Sequence, residues 1–109
     1  EFLHVDDLGE ACVFALENWR PGSEDHSFLN VGTGVDLSIR ELAELVAKEV
    51  CFEGKLIWDE NKPDGTPKKQ LNISKITDIG WQPLISLEAG LKSTIAEFKQ
   101  GVAKGLIRS

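Results

Sequence analysis

The sequence has no tyrosine, no methionine, and only two cysteines and two histidines in 109 residues. Each scarcity closes off a chemistry. Without tyrosine there is no Tyr-x-x-x-Lys proton-relay pair within these residues. Cys12 and Cys51 form no C-x-x-C pair and are too few for a disulfide framework. Each lies in or beside an apolar helical pattern, so both are expected as buried, reduced thiols. His4 and His26 are not placed to join them in a zinc site of usual spacing, and no metal site is expected. No apolar run approaches the roughly 20 residues a membrane span needs, and no basic region precedes an apolar one as in a signal peptide. The expected setting is therefore cytoplasmic and reducing, with no membrane partner. The missing methionine and the abrupt opening Glu1-Phe2-Leu3-His4-Val5 lead to the expectation that the chain is a piece of a longer protein.

What is present suits one globular domain over residues 1–109. Hydrophobic residues make up 41% and charged residues 28%, a balance that excludes a disordered chain. Acidic residues outnumber basic ones, 18 to 12, giving a net charge of −6. Such a chain repels a polyphosphate backbone, so no nucleic-acid partner is expected. A local basic patch remains able to hold one small anion.

The periodicity predicts strands alternating with helices. Phe2–Val5 reads as a short strand. Asp7 and Glu10 fit a capping box for a helix over 7–19, with apolar residues recurring at three and four. A polar turn at 20–25 leads to a second strand at 27–31. Gly32-Thr33-Gly34 is the turn after it, and Ser38 with Glu41 caps a second helix to residue 50. Lys55–Trp58 is a third strand. Ser74 caps a short helix over 75–79, closed by Gly80, and Trp81 is expected to pack back on the core. A last helix carries the stripe Leu87, Leu91, Ile95 and Phe98 and is expected to fray through Gly101 and Gly105. The order strand-helix-strand-helix-strand-helix-helix predicts an α/β fold with parallel pairing.

Three places invite a chemical reading. His4 with Asp6 and Asp7 resembles a metal or acid–base cluster, but sits where helix-capping carboxylates already account for it. His26 reads as a solvated histidine. Gly32-Thr33-Gly34 follows an apolar run and precedes a helix, as a dinucleotide fingerprint does. The third glycine position holds Leu37, however, and no acidic residue follows at the ribose distance. The third place is the loop at 58–72. Lys62, Lys68 and Lys69 put three cations into an acidic chain, and Pro63 and Pro67 stiffen the loop around a turn at Asp64-Gly65. A pre-ordered cationic loop suits a diphosphate, and Asp64 suits sugar hydroxyls. On composition alone, a solvated connection explains the loop equally well.

Glu1-Phe-Leu-His-Val-Asp-Asp-Leu8, Leu29-Asn-Val-Gly-Thr-Gly-Val-Asp36 and Lys62-Pro-Asp-Gly-Thr-Pro-Lys-Lys69 together resemble the C-terminal part of the GDP-L-fucose synthases. These are extended short-chain dehydrogenases. Gly80-Trp81 and Ile85-Ser-Leu-Glu-Ala-Gly-Leu91 continue the match, and the lysine-proline loop is its most specific element. The resemblance implies the small substrate-binding lobe of an NADPH-dependent epimerase-reductase, which converts GDP-4-keto-6-deoxy-D-mannose to GDP-L-fucose. The NADP site and the catalytic groups would lie in an N-terminal Rossmann domain absent from this chain. No catalytic and no cofactor-binding residue is then expected here. The expected partners are the GDP-sugar, that Rossmann domain, and a second copy in a full-length homodimer. The resemblance assigns substrate contacts to Asp64 and Lys69, and to Lys68, which stands where the family usually has arginine. Gln70-Leu71-Asn72 likewise replaces a more usual Leu-Leu-Asp.

Overall fold

The computed structural model describes residues 1–20, 22 and 28–107. Four helices lie among them: α1 (Val5–Asn18), α2 (Ile39–Glu49), α3 (Ser74–Asp78) and α4 (Leu87–Ala103). No strand occurs among the described residues, so the expected α/β order is corrected to an all-helical one. The reason is pairing. A strand exists only where a neighbour completes its ladder of hydrogen bonds, and the apolar runs find no such neighbour. Residues 2–4 are irregular and Val5 already opens α1. Residues 28–31 are irregular but give Leu29 and Val31 to the core. Residues 55–58 run exposed. The expected turn at 20–25 (apart from Arg20 and Gly22), His26, Ser27 and residues 108–109 lie outside the described residues.

The described residues fall into two compact units, Glu1–Asp36 with Lys69–Leu87, and Leu37–Lys68 with Glu88–Ser109. In the first unit, α1 begins on His4, whose Nδ1 accepts from the Asp6 N–H at 3.3 Å. The expected Asp7–Glu10 capping box is thereby corrected: the helix starts earlier, and Asp7 falls in its first turn. There Asp7 is only 2% exposed. Its carboxylate accepts from the backbone N–H groups of Leu84 at 3.2 Å and Ile85 at 2.9 Å. The core is Ala11, Ile76 and Trp81, with Leu3, Phe14, Leu29, Val31 and Ile73 packed around it. Asn72, rather than Ser74, supplies the side-chain acceptor at the start of α3, taking the Ser74 N–H at 3.0 Å. The helix ends in a Schellman motif on Gly80, at φ 111°. Trp81 N–H donates to Ile76 C=O at 3.1 Å and Gly80 N–H to Thr77 C=O at 2.9 Å. This closure brings Trp81 back onto Ile76, as the sequence led one to expect.

In the second unit, α2 carries the expected capping box. Glu41 N–H donates to Ser38 Oγ at 3.1 Å, and Ser38 N–H to Glu41 Oε2 at 2.7 Å. The Ser38 backbone N–H, then its hydroxyl, hold the Glu41 carboxyl below its ordinary 4.5. The C-terminus of α2 is a second Schellman motif, with Phe52 N–H on Ala47 C=O at 2.8 Å. Here the left-handed position, φ 56°, is filled by Cys51, which is not a glycine. Cys51 and Cys12 are both free and exposed. The expectation of buried thiols is thus corrected, Cys51 because it sits in a solvent-facing turn and Cys12 because α1 turns it outward. The expected fraying of α4 is corrected too. Gly101 is buried within the helix, with Ile107 packed where a Cβ would stand, and the helix closes on Gly105 at φ 68° through Leu106 N–H to Gly101 C=O at 2.9 Å.

Two stability measurements follow from these helix ends. Cys51→Gly relieves a left-handed residue with a side chain and is expected to stabilise the protein by about 0.5–1 kcal/mol in urea titration. Glu41 has a folded pKa lower than its unfolded one, so its contribution is complete above 4.5 and is lost as pH falls through the lower folded value. The stability gap between wild type and Glu41→Gln is expected to shrink across that same descent.

Candidate functional site

Residues 51–72 are exposed throughout and form no helix or strand. The loop at 58–72 begins at a stacked pair within the second unit. The Arg40 guanidinium carbon, on α2, lies 4.7 Å from the Trp58 ring centroid. The planar cation covers the negative face of the indole and fixes where the loop leaves the unit. An Asx turn follows. Asp59 Oδ1 accepts from the Asn61 N–H at 3.0 Å, while Lys62 N–H donates to Asp59 C=O at 3.2 Å. Pro63, Asp64, Gly65 and Pro67 then run exposed to Lys68.

Asp64 and Lys68 belong to the second unit and Lys69 to the first. All three are exposed, and among the described residues none of them enters an ion pair. Their charges are therefore not neutralised by neighbouring side chains.

In the first unit the end of the loop is docked, and this the sequence reasoning missed. Glu1 Oε2 accepts from the Leu71 N–H at 3.1 Å and Glu1 Oε1 from the Thr33 N–H at 3.1 Å. The Gln70 side-chain amide donates to Gly34 C=O, and Asn30 Nδ2 donates to Asn72 C=O at 3.2 Å. Gly34, Gln70, Leu71, Asn72, Ile73 and Ser74 line a shallow groove there. Nothing in spacing or periodicity marks Glu1 or Asn30. Gly32 is buried, and a Cβ there would press on the Glu1 carboxylate.

The other two sequence candidates resolve into structural roles. Gly34 takes a positive φ of 71°, as a turn requires, and the Thr33 N–H is already engaged by Glu1. That N–H is not open to a phosphate. His4 caps α1, and Asp7 holds the 84–85 backbone. Among the described residues no group of three His, Cys, Asp or Glu is placed to hold a metal. No helix there is long and apolar enough to cross a membrane.

The chain is 53% identical over 94 residues to GDP-L-fucose synthase 1 of Arabidopsis thaliana, a match covering 86% of this chain and 28% of that protein. It is 47% identical over 103 residues to the GDP-L-fucose synthase of Escherichia coli K12, covering 90% of this chain and 32% of that one. The chain is homologous to the GDP-L-fucose synthase family. It spans about 30% of the length of these relatives. Its fold resembles part of the GDP-mannoheptose C4 reductase of Campylobacter jejuni, solved with NADP bound, at a TM-score of 0.79 and 32% identity over 91% of this chain and 31% of that one. No protein-family profile matches the chain.

The Arg40–Trp58 stack can be tested without a ligand. At an exposed site such a pair is worth about 0.5–1 kcal/mol. Arg40→Gln is therefore expected to speed hydrogen exchange of the Asn61 and Lys62 amides about two- to fivefold, with mid-α2 amides unchanged.

Proposed function

We propose that residues 1–109 form the nucleotide-sugar-binding portion of an NADPH-dependent epimerase-reductase that converts GDP-4-keto-6-deoxy-D-mannose to GDP-L-fucose. The observation that carries the reading is the match to GDP-L-fucose synthases across 86–95% of the chain, which includes the exposed Lys62–Lys69 loop. Lys69 and Lys68 supply positive charge for the diphosphate, and Asp64 accepts hydrogen bonds from hydroxyls of the sugar nucleotide. These residues are exposed and unpaired among the described ones, so binding displaces water rather than an internal partner. Lys68 acts as a point charge, without the two-pronged geometry an arginine would bring.

The chemistry belongs to the remainder of the full-length protein. With no tyrosine here, and both histidines and cysteines outside the matched loop, these residues hold and orient a substrate. NADPH, the hydride donor, and the acid–base groups would come from the Rossmann domain, and the whole enzyme would act as a cytoplasmic homodimer. Within this division of labour the binding residues affect substrate affinity before they affect the chemical step.

Steady-state kinetics of the full-length enzyme test the assignment. Lys69→Ala is expected to raise KM for the GDP-sugar roughly tenfold while lowering kcat by less than about threefold. Asp64→Asn is expected to act in the same direction and more weakly. An unchanged KM in Lys69→Ala would remove the loop from the binding site.

A further inference from the structure

We infer that Glu1 is a positioning residue for nucleotide-sugar binding: its carboxylate sets the backbone that follows Lys69. The inference rests on the proposed role of the loop and adds to it a residue outside the loop. The Glu1 side chain is 8% exposed, an uncommon place for a carboxylate unless hydrogen bonds compensate for the lost water. They do so here with one oxygen each. Oε1 takes the Thr33 N–H and Oε2 the Leu71 N–H, both at 3.1 Å.

Leu71 is thus held by Glu1, and the neighbouring Gln70 side chain donates to Gly34 C=O. Gly32 is buried, and a Cβ at that position would collide with Glu1 Oε1. Three separate stretches of sequence, at 1, 32–34 and 70–71, therefore meet at one side chain. What they fix is the backbone at 70–71, directly after Lys69, and through it the direction in which that lysine leaves the fold. Glu1 touches no substrate in this scheme and acts through Lys69. A glutamine in its place offers one oxygen and one NH2, and an NH2 cannot accept from a backbone N–H. One of the two backbone donors is then left without an acceptor.

The test compares Glu1→Gln, Lys69→Ala and their combination in the full-length protein, reading KM for the GDP-sugar, kcat and the thermal midpoint. Glu1→Gln is expected to raise KM about tenfold with kcat changed by less than about twofold. In the double variant KM is expected to stay within about twofold of Lys69→Ala alone, because both changes remove the same contact. A raised KM in Lys69→Ala with an unchanged KM in Glu1→Gln overturns this inference and leaves the proposed function standing. So does a double variant whose effects multiply. An unchanged KM in Lys69→Ala instead overturns the loop assignment, and this inference with it. If Glu1→Gln does not fold, Glu1→Asp, which keeps the charge and shortens the reach, carries the same expectations.

Discussion

Asp7 holds the first unit together across 77 residues of sequence, accepting from Leu84 N–H with one oxygen and from Ile85 N–H with the other. The need for it follows from the absence of a ladder. A sheet would satisfy extended backbone in pairs, whereas in this unit irregular segments must find acceptors one group at a time. A carboxylate suits the task because it accepts at two oxygens and its hydrogen bonds are charge-assisted. Its site, in the first turn of α1, adds the favourable field of a helix N-terminus. Leaving a part-buried backbone donor unpaired costs about 1–3 kcal/mol, so removing both acceptors together would threaten a unit whose buried hydrophobic core, among the described residues, is Ala11, Ile76 and Trp81. Glu1 repeats the device on the other irregular segments, joining Thr33 to Leu71. Two carboxylates, one buried at Asp7 and one half-buried at Glu1, thus do in this unit much of what strand pairing does in a sheet.

That device explains where the sequence could be read and where it could not. Helix ends encode themselves locally. Ser38 with Glu41, and Gly80 before Trp81, specify their caps within a few residues, and the structure has both. Strand pairing is not local. Phe28–Val31 has the same composition whether a neighbour is present or not, so the apolar run supported a strand that the described residues do not form. Asp7 illustrates the same limit from the other side. Its place near a helix start made capping the natural reading, and only the position of residues 84 and 85, unknowable from spacing, shows it to be an anchor. Cys51 misled in a third way. Left-handed C-terminal positions favour glycine, so a cysteine there gives no warning of the turn.

The candidate site divides along the same line. The composition of the loop was legible: its prolines and lysines are exposed, and among the described residues Lys62, Lys68 and Lys69 enter no ion pair; the turn expected at Asp64-Gly65 is corrected, for the chain turns instead at Asp59–Lys62, where the Asp59 side chain and carbonyl supply the acceptors. What anchors its ends was not. Arg40 is one helical surface residue among several until Trp58 is found 4.7 Å away, and Glu1 carries no motif that announces a half-buried acceptor.

The exposure of the lysines limits what they can do alone. In water, a charge pair at 4 Å is worth only about 1 kcal/mol, and several times more where the surroundings are less polarisable. An acidic chain with net charge −6 further lowers the anion concentration near its surface. Three solvated cations on a slack loop would therefore hold a diphosphate weakly. Affinity has to come from reducing what is lost on ordering, and that is where the fold contributes. Within the second unit Arg40 stacks on Trp58 at the start of the loop, and within the first Glu1 holds the backbone at Leu71. Under the proposed binding role, rigidity supplied by residues that never meet the ligand would matter as much as the charge on the lysines.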